Sequence, residues 1–194
     1  MARSLKLALA GLAALTVVRL VVAAVVPLSP DECYYWVWSR DLQAGYLDGP
    51  PMVAWWIRAG TLIAGQGALG VRLLGPLSAA VGSVLLYQAA EALLPGRNAG
   101  LWAAGLLNAT LLFGAGTVIM TPDTPLLFFW VCATWAAAMF ARDRWPPWLI
   151  LVPILAGLAI LSKYTAALLV LGVGLWLVVV PELRRSLVRP AIWW

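Results

Sequence analysis

The sequence predicts an all-α polytopic membrane protein, and three observations lead there. Of its 194 residues 63% are hydrophobic and 11% charged, outside the usage of soluble globular domains. Apolar runs close to the roughly 20 residues that cross a bilayer recur along the whole chain. Most arginines fall between those runs, with a bias to one side, as membrane topology requires. The pattern gives about six transmembrane helices, with amphipathic interfacial helices in the first outer loop.

The expected spans are 6–28, 68–94, 99–118, 123–141, 147–162 and 165–181. The first has a basic start at Arg3 and Lys6. It exceeds the apolar core of a secretory signal and is followed by further spans, so it reads as a retained helix. The last two form one apolar stretch that would be about 50 Å long as a single helix, against a hydrocarbon core of about 30 Å. It should break at "SKYT", which holds its one charge. With the N-terminus inside, the cytoplasmic ends carry Arg3, Lys6, Arg97, Arg142, Arg144, Arg184, Arg185 and Arg189. The outer side then holds Arg40, Arg58, Arg72 and Lys163 with Asp31, Glu32, Asp41, Asp48 and Asp123. Topology thus accounts for the net charge of +5, and no nucleic-acid partner is implied. Eleven arginines against two lysines suggest a bacterial source with a GC-rich genome. The cysteines, Cys33 and Cys132, cannot make a disulfide framework.

Residues 29–66 form the expected first outer loop, and its stretch "PLSPDECYYWVWSRDLQAGYLDGPPMVAWW" crowds carboxylates among aromatic rings. Pro30 suits a helix start, and Asp31 and Glu32 suit its first turn. The plain reading is a surface helix whose Tyr34, Tyr35, Trp36 and Trp38 form an interfacial belt. The functional reading is a carboxylate beside the bilayer that takes a proton from a hydroxyl, with rings suited to a sugar or prenyl chain. Gly45 can end that helix, and Pro50-Pro51 enforces an extended turn before the amphipathic "MVAWWIRAG". Asp48 can cap that turn. Asp123 or Thr121 can cap the fourth span, with Pro125 tolerated in its first turn. Lys163 either snorkels from a helix end or holds a lipid-linked phosphate. Arg72 is a second possible phosphate contact, whereas Arg19 should pair within the bundle. The topology places Asp31, Asp48, Asp123 and Lys163, from three loops, on one outer face. No histidine is present and the acidic positions lack metal-ligand spacing, so no metal and no cofactor are expected.

Four stretches in order carry a resemblance: "PLSPDECYYWVWSRDLQAGYLDGPPMVAW", "GVRL", "TPDTPLLFFW" and "GLAILSKYTA". Together they resemble the polyprenyl-phosphate-sugar-dependent glycosyltransferases of the GT-C superfamily. The branch they are most similar to holds bacterial proteins like the protein O-mannosyltransferases and the lipid A aminoarabinose transferase. The resemblance implies that residues 1–194 are the N-terminal transmembrane part of a longer module. It implies Asp31 as the base and Asp123 as a second catalytic acid. It implies Lys163 as a contact to the donor phosphate, with Glu32, Tyr35, Asp48 and Arg72 as further substrate contacts. Gly49 stands where relatives often have a larger polar or basic residue.

The implied reaction moves a sugar, with inversion, from a polyprenyl phosphate to a hydroxyl of a lipid A, glycan or protein acceptor. It would take place at the periplasmic face of the bacterial cytoplasmic membrane, in contact with the lipid bilayer. The rival is a non-catalytic lipid-binding or transport protein using the same outer cavity, or an inactive fragment. The orientation can be tested directly. A single cysteine at Gln43 should react with a membrane-impermeant reagent from the periplasmic side. Labelling only after permeabilisation would reverse the topology and dissolve the common outer face.

Overall fold

The computed structural model describes residues 2–184. Arg185, Arg189 and the closing "RPAIWW", part of the expected cytoplasmic basic end, lie outside the described residues. Eleven α-helices follow in order: α1 (Ala2–Val25), α2 (Pro30–Trp38), α3 (Met52–Ala64), α4 (Ala68–Arg72), α5 (Leu74–Leu93), α6 (Ala99–Ala109), α7 (Leu111–Gly114), α8 (Asp123–Asp143), α9 (Pro146–Ile160), α10 (Ala167–Val179) and α11 (Pro181–Arg184). Short 3-10 turns, Gly116–Val118 and Tyr164–Ala166, fill two of the gaps. Among the described residues there is no strand. The architecture is that of a polytopic helical membrane protein.

Among the described residues three segments are long and apolar enough to cross a bilayer: Ser4–Val25, the continuous α4–α5 run Ala68–Leu93, and Asp123–Asp143. The expected single span at 99–118 is instead a pair, Ala99–Ala109 and Leu111–Val118, bent by 78°. Thr110 makes the bend, because its extended backbone ends α6 while its hydroxyl accepts the Phe113 N–H at 3.2 Å to begin α7. The long apolar stretch breaks where its charge sits. Helix α9 stops at Ile160, and Lys163 is fully extended at φ −160° and ψ 137°. The resulting helices have 15 residues in α9 and 13 in α10, about 22 and 20 Å at 1.5 Å per residue. Both fall short of the hydrocarbon core unless their flanks extend them.

Helix α8 is the centre of the bundle. It packs on α5 through Ala89, Ala138 and Met139, and on α9 through Ala136, Ala137 and Val152. A third cluster joins Leu126 and Ala133 of α8 to Ala156, Ala159 and Leu169. These contacts are rich in alanine, since lipid gives no hydrophobic drive between helices and close backbone approach must supply the attraction. The contrast with α1 is large: 61% of the α8 span window is buried against 11% for α1. Helix α1 is therefore a peripheral helix held at few points.

At the end of the bundle where α1 finishes, α2, α3 and α4 form a separate small core. Val53, Ile57, Val71 and Met120 are buried there beneath Tyr35, Trp36, Trp38 and Trp56. Helix α2 ends at Trp38, earlier than the Gly45 expected from sequence, because the Ser39 hydroxyl donates back to the Trp36 carbonyl at 2.6 Å. Helix α3 buries one face and leaves Leu62 and Ile63 exposed. It folds tightly back on α4. A Cβ on Gly70 would lie 1.8 Å from the Gly65 carbonyl oxygen. Gly70→Ala should therefore destabilise the fold by about 1–3 kcal/mol. Gly157→Ala, where a Cβ meets nothing within 4 Å, should be neutral or slightly stabilising, as alanine's helix propensity predicts. Thermal unfolding of the two variants in detergent checks the contrast.

Candidate functional site

The site is built around the first turn of α2. Ser29 and Glu32 form a reciprocal capping box: the Ser29 hydroxyl accepts the Glu32 N–H at 3.3 Å, and Glu32 Oε2 accepts the Ser29 N–H at 2.9 Å. Such a box satisfies two donors that a helix start leaves open. The same carboxylate is fully buried and faces inward to Arg72, itself 2% exposed. Arg72 Nε donates to Oε1 and Nη2 to Oε2, both at 2.6 Å, in a bidentate fork. The Met120 N–H adds a fourth bond to Oε1 at 3.0 Å. The remaining Arg72 donors reach the carbonyls of Ala23 at 3.3 Å, Val26 at 2.7 Å and Pro27 at 2.9 Å, at the end of α1. Burial pushes the Glu32 carboxyl upward. The Arg72 hydrogen bonds, the Met120 and Ser29 amides and the Arg72 charge outweigh it, and the group sits below its ordinary value.

Asp31, one residue earlier on the helix, points the other way. It is exposed and makes no hydrogen bond or ion pair among the described residues. Across from it Lys163 donates to both oxygens of Asp123, at 2.8 and 3.0 Å, which joins the start of α8 to the turn after α9. The Met52 N–H donates to the Leu161 carbonyl at 3.0 Å and ties the double-proline turn to that same α9 end. The Tyr34 hydroxyl donates to Asp48 and brings the loop before Pro50 against α2. All four charged groups act on one phenol. Burial raises Tyr35 above its ordinary value, the charges of Asp31, Asp123 and Asp48 raise it further, and Lys163 opposes them. Tyr35 therefore keeps its phenol proton near neutral pH.

The structure pairs Lys163 with Asp123 and Asp48 with Tyr34, and leaves Asp31 exposed on the same helix as Tyr34 and Tyr35. It separates Glu32 and Arg72 from them. Expected as substrate contacts, these two are buried against each other, with every Arg72 nitrogen bonded inside the protein. Asp123 does not cap α8, whose start has no side-chain cap; its carboxylate goes to Lys163 instead. Asp48 likewise takes the Tyr34 hydroxyl. Arg19 pairs within the bundle, through Asn108 and the carbonyls of Phe113 and Gly114. The capping box went unread in the sequence although its S-x-x-E signal stands at 29–32. Among the described residues no three His, Cys, Asp or Glu side chains group as a metal site.

Comparison with known proteins adds the family. Residues 48–194 match the family described as dolichyl-phosphate-mannose-protein mannosyltransferase. That match takes in Asp48, Arg72, Asp123 and Lys163 but begins after Asp31, Glu32 and Tyr35. A lipid A galacturonosyltransferase of Rhizobium johnstonii is 31% identical over 182 residues, covering 84% of this chain and 37% of the relative. The chain thus spans well under half of that relative's length. No solved structure matches.

The buried pair gives a signed pH dependence. A carboxyl held below its ordinary 4.5 contributes stability that is complete above that value. The contribution is lost as pH falls through the lower, folded value. Glu32→Gln should lose about 3–5 kcal/mol near neutral pH, because it leaves Arg72 a buried charge without its partner. It should also lose much of the wild type's further destabilisation below that carboxylate range. Unfolding midpoints of both proteins in detergent from neutral to acid pH test this; parallel acid profiles would remove Glu32 as the titrating group.

Proposed function

The chain belongs to the dolichyl-phosphate-mannose-protein mannosyltransferase family, and from that premise we propose that it carries the acceptor-activating part of a membrane glycosyltransferase site. The proposed reaction moves a sugar from a polyprenyl phosphate to an acceptor hydroxyl at the periplasmic face of the cytoplasmic membrane. Asp31 takes the hydroxyl proton as the oxygen attacks the anomeric carbon from the side opposite the phosphate. The bond from that carbon to the phosphate oxygen breaks, and the electron pair leaves with polyprenyl phosphate, giving inversion. The leaving group is already a stable anion, so it needs a cation beside it rather than a strong acid. Lys163 supplies that charge by exchanging the Asp123 carboxylate it holds at 2.8 and 3.0 Å for the phosphate.

The observation that carries this reading is an exposed Asp31 on α2, unpartnered among the described residues, beside Tyr34, which holds Asp48, together with a partly exposed Lys163 that donates to both oxygens of Asp123 at 2.8 and 3.0 Å. A protonated Tyr35 and the Asp48–Tyr34 pair are suited to holding sugar hydroxyls by donor and acceptor contacts. Arg72 and Glu32 serve in this proposal as positioning residues that set the α2 turn, not as contacts. Of the acceptor classes, lipid A is favoured by the name of the Rhizobium relative.

The test is sugar transfer by the full-length protein from a labelled polyprenyl-phosphate sugar. Asp31→Asn keeps size and hydrogen bonding but cannot take a proton, and should lower turnover by about 10²–10⁴-fold. Near-wild-type turnover by a well-folded Asp31→Asn protein would transfer the base role to Asp123. Absence of transfer by the wild type would favour a non-catalytic lipid-binding protein.

A further inference from the structure

Arg19 sits well inside α1, about 9 Å below the helix's outer end at 1.5 Å per residue. It is 2% exposed, and no carboxylate pairs with it among the described residues. An intramembrane cation of this kind needs compensation from its surroundings. Here the compensation is made of dipoles at Nε and Nη2, while Nη1 is buried without a hydrogen-bond partner among the described residues. Nε donates to the Gly114 carbonyl at 3.0 Å, and Nη2 to Asn108 Oδ1 at 3.0 Å and the Phe113 carbonyl at 3.3 Å. Asn108 in turn donates to Ser83 Oγ of α5 at 2.8 Å and to the Ala104 carbonyl at 2.9 Å.

These acceptors flank the Thr110 bend: Asn108 lies in the last turn of α6, and Phe113 and Gly114 end α7. A helix end leaves its last carbonyls without partners, and within a bilayer no water can supply them. Arg19 does so, with the favourable sign for a cation at a helix C-terminus. From that point the chain runs without slack to the outer site. The Thr117 hydroxyl donates to the same Phe113 carbonyl at 2.7 Å. A Cβ on Gly75 would come within 2.1 Å of the Thr117 carbonyl oxygen, so α5 presses on this segment. Met120 then donates to Glu32, and the Thr124 hydroxyl to the Ile119 carbonyl at 2.8 Å, beside Asp123.

We propose that Arg19 is a positioning residue for the outer site: it fixes the inner end of the 111–122 segment, whose outer end carries the Met120 amide and leads into Asp123. Glu32 holds that outer end, so one segment is stapled at both ends by buried ionic side chains. The planar fork of arginine reaches three acceptors at once, which a lysine ammonium on its flexible stem does not reproduce. The catalytic consequence rests on the glycosyltransferase reading above; the structural coupling does not.

The experiment uses the full-length protein in lipid nanodiscs and reads amide hydrogen exchange along the chain together with sugar transfer. Arg19→Lys should speed exchange in peptides covering 111–122 by about tenfold or more, while the central α8 peptides stay unchanged. It should lower kcat by about tenfold, with donor KM within about twofold. Combined with Glu32→Gln, it should lower kcat far less than the product of the single effects, because both act through one segment. Unchanged exchange in 111–122, a uniform rise over all helices, or fully multiplicative losses would each overturn the proposal. If Arg19→Lys does not fold, Asn108→Ala removes one acceptor and should raise exchange in the same segment, with no rise again overturning it. If the wild type transfers no sugar, the function proposal fails and the exchange pattern alone decides the role of Arg19.

Discussion

The ion pair between Glu32 and Arg72 is the constraint on which the outer half of this protein depends. Each oxygen of the carboxylate takes one guanidinium bond and one backbone amide. The guanidinium closes three carbonyls at the end of α1. Two buried side chains thereby fix the end of α1, the start of α2, the α4 turn and the Met120 backbone relative to one another. A buried pair of this sort adds little net stability compared with an apolar replacement, yet breaking it is strongly destabilising. Its effect is to specify one arrangement of four segments that otherwise share only a small apolar core.

The pair also explains how adjacent acids come to do different things. Successive residues on a helix point about 100° apart, so burying Glu32 leaves Asp31 facing outward. Glu32 is held below the ordinary carboxyl range by its donors and is ionised near neutral pH. Asp31 has no such donors among the described residues and is open to an incoming hydroxyl. The acidic dipeptide is thus one buried anchor and one exposed carboxylate, set by a single helical step.

Much of this was legible in the sequence where the signal was local. Apolar length gave the long helices, and the lone charge of "SKYT" gave the break after α9. The lysine of that break meets Asp123 at the start of α8, two residues that the charge bias assigned to one side. What was not legible depends on contacts far apart in the chain. Arg72 meets Glu32 across 40 residues and Met120 meets Glu32 across 88. Nothing in "GVRL" marks its arginine as buried rather than exposed at a helix start. The bend at Thr110 escaped for a related reason: 99–118 has the composition of one span, and its break is stabilised by Arg19 from α1.

The two ion pairs near the site differ in burial, and that difference separates their roles. Glu32 and Arg72 side chains are 0% and 3% exposed, whereas Asp123 and Lys163 are 39% and 42% exposed. A water-exposed pair contributes about 0–1 kcal/mol, so its members can change partners at little cost. In the proposed reaction Lys163 must face an anion amid a net charge of −2, three carboxylates less one ammonium. It meets that demand by leaving Asp123 for the phosphate, a move the buried Arg72 could not make without stranding Glu32. The exchange also frees the Asp123 carboxylate next to the reacting centre as the donor arrives. Lysine in the otherwise apolar "LAILSKYTA" is then neither a misfit nor a simple anchor. Its pairing with Asp123 is partly exposed, which is what the proposed exchange requires.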